Sequence, residues 1–366
     1  MPSFASVVAL LALGRMTCCC EASRLPSSAF AVPGDATYDY VGLSAPIPFG
    51  FWPCANHDLV VVVGGGTAGL TIATRLSASG ASVGVVEAGG FYEVDNGNLS
   101  VVPGYAFSQS IIAPVEMFPP QPLIDWGLVS QPQSGAAGRK VHYAAGKTLG
   151  GSSALNTLAY HRATKSAYKR WADIVGHASY TWDKLLPYFI KSTHLTSPNW
   201  QKRNSANATF DYDSSVFCSN GSSCGPLQVS YANWVDPTGT WIASALQSLG
   251  LALSTIGFNS GSLSGGAFTT GTIDPVTATR SSSESSYLAW AVEHTELKVH
   301  TRTQALKILF TSGNATGVSV ATAGLPYTLT ARKEVIVSAG TFHSPQLLMV
   351  SGRHSLLFLF LHRITY

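Results

Sequence analysis

A chain of 366 residues, 46% hydrophobic and only 11% charged, is long enough to bury a substantial core in one large domain or two ordinary ones. Its net charge is +3 and no block of basic residues stands out, so neither nucleic acid nor an anionic membrane is predicted as a partner.

The opening segment, MPSFASVVALLALGRMTCCCEAS, carries an apolar run from Phe4 to Leu13. A membrane helix needs roughly 20 such residues, so residues 1–22 read instead as a secretory signal peptide, although no Lys or Arg precedes the run. Sequons at Asn98, Asn207, Asn220 and Asn314 fit a secreted, extracellular glycoprotein. Residues 23–57 are rich in Pro, Gly and Ser without periodicity, as in a leader lying on a domain that starts near Asp58.

Three of the six cysteines, Cys18, Cys19 and Cys20, fall in the signal segment, and Cys54 has no evident partner. Cys218 and Cys224 flank SNGSS, a turn-rich stretch that either closes as a small disulfide loop or carries two unrelated thiols. No further Cys or His pair sits at ligand spacing, so no metal site is predicted.

From Leu59 the pattern is strand, glycine turn and helix. Leu59 to Val63 is the continuous apolar run of a buried parallel strand, and Gly69, Ile72, Ala73 and Leu76 recur at helical spacing before Gly80. Val83 to Val86 is the next buried strand, which completes a βαβ unit. Residues 95–145 read as long ordered loops. GKTLGGSSALNTLAY (146–160) reads as bare backbone and hydroxyls, before an apolar helix, that could meet a diphosphate or a flavin edge; a flexible helix-capping loop is the other reading. Further on, a helix is predicted over Trp241 to Leu251, and antiparallel strands over Leu297 to Phe310 and Ala315 to Leu329. A buried strand over Glu334 to Ser338 is then expected to lead into a helix capped by Ser344, with Pro345 at its first position.

Gly64, Gly66 and Gly69 form GxGxxG between the strand and the helix, and Glu87 closes the second strand about twenty residues on. Gly64 permits the tight turn, Gly66 lets backbone approach a pyrophosphate, and Gly69 lets helix and strand pack closely. The helix N-terminus offers unpaired N–H groups to phosphate, and Glu87 can accept hydrogen bonds from ribose hydroxyls. The complete unit predicts a dinucleotide site without separating FAD from NAD.

Together with GKTLGGSSALN and GTFHSPQLLMVSG (340–352), in the same order, this fingerprint resembles the glucose-methanol-choline oxidoreductases, FAD-dependent enzymes that oxidise alcohols, sugars and aromatic alcohols. The resemblance covers about Asp58 to Gly352. It implies an α/β fold, with a Rossmann-like FAD-binding domain over 58–170 and 270–352 and an incomplete α+β substrate-binding region over 171–269. It also implies that Gly64, Gly66, Thr67, Ala68 and Gly69 surround the pyrophosphate and that Glu87 and Ala88 meet the adenosine ribose. Thr148, Gly151 and Ser152 would approach the cofactor, and Asn156, Thr157, Leu158 and Ala159 would line the flavin ring. Leu306 would meet the adenine through its backbone, and Ala339 and Gly340 would close around the ribityl and phosphate groups. Leu155 stands where a few members carry a histidine bound covalently to FAD, so non-covalent FAD and a small-molecule alcohol substrate are implied.

The second signature breaks after Ser351-Gly352, and RHSLLFLFLHRITY reads as an aberrant tail (353–366) from a mispredicted or retained intron or a frameshift. The family's catalytic base lies in a C-terminal segment to which nothing here corresponds, so the chain reads as truncated and no catalytic residue is assigned. Of the ten histidines, His161 is singled out as cofactor-proximal and His343 as structural; His142 sits in a polar context with no partner at triad spacing. Two other readings stay open: a non-catalytic flavin-binding fragment and an NAD-dependent dehydrogenase.

Overall fold

The computed structural model describes residues 27–37, 59–110, 120–219, 221 and 223–352. The signal segment, most of the leader, Asp58, Asn220 and the tail from Arg353 lie outside the described residues.

A short strand β1 (Ala36–Thr37) precedes β2 (Leu59–Val63), α1 (Thr67–Ala78) and β3 (Ser82–Val86). Strands β2 and β3 pair in parallel from Leu59 opposite Ser82 to Val63 opposite Val86, which is the βαβ unit read from the sequence. Val60 and Val62 enter one core with Leu70, Ala73 and Val85, while Val61 and Val63 enter another with Val318, Val320 and Leu329. A strand covered on both faces must be apolar at every position, which accounts for the valine run.

The stretch after β3 holds single helical turns at Tyr92–Asp95 and Asn98–Val101, then a ribbon of β4 (Leu128–Val129) and β5 (His142–Tyr143). The apolar helix expected after the glycine-serine run does not form. Gly151–Ala154 is one 3-10 turn, and the chain then extends into β6 (Ala159–Tyr160). Asn156 Oδ1 accepts the amide of Leu158 at 3.1 Å, and Leu158 takes φ +68°, a local hydrogen-bonded turn that a helix cannot contain.

Next come α2 (Lys165–Val175), α3 (Trp182–Ser192), β7 (Thr193–Thr196), β8 (Leu227–Ser230), α4 (Pro237–Ser248) and β9 (Thr270–Gly271). Helix α4 begins before the expected Trp241 because Asp236 caps it, its Oδ1 accepting Thr238 N at 2.9 Å, and Pro237 fills the first position. A sheet in the order β6-β9-β8-β7 packs on an aromatic-rich cluster that includes Phe217, Tyr231 and Phe210. Cys218 and Cys224 form a disulfide across a sequence separation of 6. Cys218→Ser is expected to destabilise the protein by about 2 kcal/mol on the loop-entropy model, read as a lower urea midpoint under non-reducing conditions. An unchanged midpoint would mean that other contacts already hold the loop closed.

A π-helical turn at Glu284–Leu288 runs into α5 (Ala289–His294). The strand expected over Leu297 to Phe310 is two strands, β10 (Lys298–His300) and β11 (Thr303–Thr311). Glu87 N donates to His300 O at 2.9 Å and Thr303 N donates to Glu87 O at 2.8 Å, so the chain turns around Glu87, with Arg302 at φ +50°. The segment read as Ala315 to Leu329 also divides, into β12 (Asn314–Thr322) and β13 (Leu325–Thr330), around Ala323 and Gly324 at φ +51° and +81°.

Strand β14 (Glu334–Val337) completes a parallel sheet in the order β10-β3-β2-β14. It is half-buried rather than buried, because it is the edge strand and among the described residues pairs only with β2. Helices α1 and α5 cover one face of this sheet, and the antiparallel β11, β12 and β13 cover the other. Helix α6 (Gly340–Val350) starts four residues before the expected cap at Ser344, because Gly340, at φ +84°, turns the chain off β14 directly. Pro345 therefore lies inside the helix. Among the described residues no helix is long and apolar enough to cross a membrane.

Candidate functional site

A cavity of about 970 Å³ opens at the carboxyl ends of β2, β3 and β14, where the N-termini of α1 and α6 converge. Clefts outside the carboxyl ends of parallel strands are where α/β sheets bind ligands. The three glycines of the first turn divide the work of building it. A Cβ at Gly64 would overlap the carbonyl oxygen of Ser338, and one at Gly69 would overlap the carbonyl oxygen of Gly64. Both glycines are therefore needed for the fold itself. At Gly66 the nearest atom to an added Cβ is Gly151 Cα at 3.6 Å, so the fold leaves that space open toward the cavity.

Gly66 caps α1 without a side-chain hydrogen bond, and the first intrahelical bond runs from Leu70 N to Gly66 O at 3.0 Å. The amides of the first turn have no intrahelical acceptors, and Thr67 and Ala68 are exposed. No acidic residue occupies the first turn of α1 or of α6. Among the described residues Glu87 and His343 are the titratable ones lining the cavity, so an anion there would be met by backbone dipoles rather than by their side chains.

Glu87 is buried at the end of β3. Its Oε2 accepts Gly65 N at 2.8 Å and its Oε1 accepts Gly89 N at 2.9 Å. Burial raises its pKa from 4.5 to about 7, against the opposing pull of these amides and of Lys147. Each oxygen keeps a lone pair for a further donor.

The glycine-serine loop forms the opposite wall. Gly150 N donates to Gly65 O at 2.9 Å, and a Cβ at Gly151, whose φ is +53°, would lie 2.7 Å from Gly66 Cα. Two backbones thus touch, and at position 151 only glycine fits. Farther along, a register shift between Ala305 and Lys307 of β11 leaves Leu306 as a bulge facing the cavity.

Of the residues singled out in the sequence, Gly64, Gly66, Thr67, Ala68, Glu87, Ala88, Gly151, Ser152, Leu306, Ala339 and Gly340 line the cavity. Gly69 packs beneath it, and Thr148 is fully buried with its hydroxyl donating to Gly90 O at 2.8 Å. Asn156, Thr157, Leu158 and Ala159 lie outside the cavity; Leu158 is buried and the other three are exposed.

Sequence reasoning missed Trp126 and His343, which line the cavity with ring centroids 4.2 Å apart. Burial lowers the His343 pKa below its ordinary 6.5. His161, the histidine singled out instead, is exposed and off the cavity. The missed signal was helical: Gly340, His343, Ser344, Leu347 and Val350 repeat on one face once α6 is started at Gly340. His142, read as having no partner at triad spacing, has Nε2 3.0 Å from Asp125 Oδ2, both side chains being buried. That contact spans the loop from Asp125 to β5, so spacing along the chain did not reveal it.

A family model described as GMC oxidoreductase matches residues 59–355. The chain is 51% identical over 300 residues to a glucose methanol choline oxidoreductase, atC, of Aspergillus terreus, covering 81% of this chain and 47% of that protein. It is 46% identical to patulin synthase of Aspergillus clavatus, covering 91% of this chain and 49% of the relative. Among solved structures, an FAD-dependent oxidoreductase from Chaetomium thermophilum superposes with a TM-score of 0.70 at 29% identity, covering 84% of this chain and 50% of that one. The chain thus spans about half the length of the relatives it matches.

Proposed function

The chain belongs to the GMC oxidoreductase family, whose cofactor is FAD, and on that premise we propose that it grips FAD non-covalently as part of an oxidoreductase acting on the CH–OH group of a small alcohol. The observation that carries the reading is the uncapped N-terminus of α1 opening on a cavity of about 970 Å³ in which, among the described residues, Glu87 is the one lining carboxylate. A dinucleotide needs amide donors for its diphosphate and an acceptor for its ribose hydroxyls, and the cavity offers both.

In this reading the amides of Thr67, Ala68 and Gly69 hold the pyrophosphate, with Gly64, Gly66, Gly151 and Ser152 leaving it room. Glu87 and Ala88 hold the adenosine ribose, the Leu306 bulge meets the adenine, and Ala339 and Gly340 close on the ribityl end. Thr148 fixes the loop that approaches the cofactor, and the turn Asn156–Ala159 faces the flavin ring, with Asn156, Thr157 and Ala159 exposed on it and the Leu158 side chain buried behind them. FAD supplies the hydride acceptor when bound. The residues of this chain bind it, orient it and exclude water from its diphosphate. Leu155, buried beside the flavin-facing turn, has no nucleophilic atom with which to attach it covalently.

Export to the cell exterior belongs to the same proposal. Asn98, Asn207 and Asn314 are all exposed, and a Cys218–Cys224 disulfide suits an oxidising compartment.

Purified protein incubated with FAD and freed of excess is expected to retain the visible flavin absorption, and acid precipitation is expected to release all of the colour into the supernatant. Folded protein that stays colourless overturns the cofactor site. Colour that stays with the precipitate overturns non-covalent attachment.

A further inference from the structure

We propose that Arg280 is a positioning residue that holds the turn Asn156–Ala159 in the shape it presents to the flavin, an inference that rests on reading that turn as the flavin-facing segment. Arg280 is only 3% exposed, and burial lowers its pKa to about 10, an effect that the nearby charge of Glu93 offsets only in part. A buried cation is costly unless hydrogen-bond acceptors surround it. Here those acceptors are concentrated on one loop. Arg280 Nη1 lies 3.0 Å from Ser153 O, 2.9 Å from Asn156 O and 2.8 Å from Asn156 Oδ1, sharing its hydrogens among the three. Its Nε donates to Ser100 O at 2.7 Å, and its backbone N donates to Val101 O at 2.9 Å.

Asn156 Oδ1 also accepts the amide of Leu158 at 3.1 Å, so one oxygen receives both the guanidinium and the amide that closes the turn. Leu158 sits at φ +68°, a conformation that a leucine does not hold without help from its surroundings. Its side chain is buried and its carbonyl accepts Thr272 N at 2.8 Å. Locking Leu158 inward is what turns Asn156, Thr157 and Ala159 outward, where they are exposed. A lysine at this position would bring a single point charge in place of a planar fork and could not reach Ser100 and Asn156 together.

The arrangement also couples two regions. Arg280 bridges to Ile273, just beyond β9, and Ser281 N donates to Thr272 O at 2.9 Å. The residue that clamps the turn is thereby anchored to the sheet of β6, β7, β8 and β9.

The test compares the unaltered chain with Arg280→Gln and Asn156→Ala. Hydrogen exchange of the cofactor-free protein is expected to show the Leu158 amide exchanging about tenfold faster or more in both variants, with the amides of β2 and β3 unchanged. FAD affinity is expected to fall about tenfold in both. In Arg280→Ala, dilute guanidinium, but not urea or sodium chloride, is expected to recover affinity, which a merely structural loss would not allow. Unchanged Leu158 exchange in Arg280→Gln, or unchanged FAD affinity in both variants while the unaltered chain binds FAD, overturns the proposal. If the unaltered chain binds no FAD, the cofactor reading fails instead, and the exchange measurement still decides whether Arg280 holds the turn.

Discussion

Gly69→Ala is expected to lower the unfolding free energy by about 3 kcal/mol or more, whereas Gly66→Ala is expected to leave the fold nearly intact and weaken FAD binding tenfold or more. The added methyl at position 69 would overlap a backbone carbonyl, that of Gly64, which cannot rotate away as a side chain would. Helix α1 would have to lift off β2, separating Leu70 and Ala73 from Val60 and Val62. Alanine's higher helix propensity, worth about 1 kcal/mol over glycine, offsets only part of that loss. At Gly66 the backbone is at φ −90°, which any residue adopts, and the nearest atom to the added methyl is 3.6 Å away. The methyl projects into the space proposed for the diphosphate, so its cost falls on the ligand. Thermal denaturation without cofactor and equilibrium titration with FAD separate the two effects. Equal loss of stability in both variants would show that the glycines are not divided between packing and binding.

Relative to Glu87→Gln, the unaltered cofactor-free chain is expected to lose on the order of 3 kcal/mol of stability as pH rises from 4.5 to 7. Unfolded, the carboxyl titrates near 4.5; folded, burial holds it to about 7. Below pH 4.5 both states are protonated and nothing is lost. Between the two values the folded state keeps a proton that the unfolded state has released, so each increment of pH favours unfolding, and above about 7 the loss is complete. The difference between the two proteins is the quantity to measure, because His300 works in the opposite sense. Burial lowers its pKa from 6.5 to about 4, so its contribution falls away as pH drops through that range and masks the Glu87 slope in the unaltered chain alone. Urea unfolding at several pH values would show the divergence, and parallel profiles would place the Glu87 pKa near its ordinary value. Ribose hydroxyls donating to the ionised carboxylate add a corollary: FAD affinity should rise with pH up to about 7.

The βαβ unit and its glycine turn were legible because their causes are local. A strand buried on both faces needs an unbroken apolar run, a helix packed on it needs an apolar repeat at its own period, and both demands are written in consecutive residues from Leu59 to Val86. The boundaries that were misread have distant causes. The division of Leu297 to Phe310 depends on backbone groups of Glu87, more than two hundred residues earlier. The early start of α6 depends on one glycine at positive φ, and the absence of a helix after Ala154 depends on the side chain of Asn156.

By itself, then, the amino-acid order determined that a parallel strand, a bare-backboned turn and a helix would meet, and that Glu87 would stand at the end of the adjoining strand. Tertiary structure alone decided which side chains line the resulting cavity: it placed His343 rather than His161 there, beside Trp126 from a loop about two hundred residues away. It also brought Arg280 onto the Asn156 turn. Periodicity and spacing record the demands a residue makes on its chain neighbours, whereas a shared cavity wall or a buried hydrogen bond is a demand between segments, met only when the sheets and helices have closed around it.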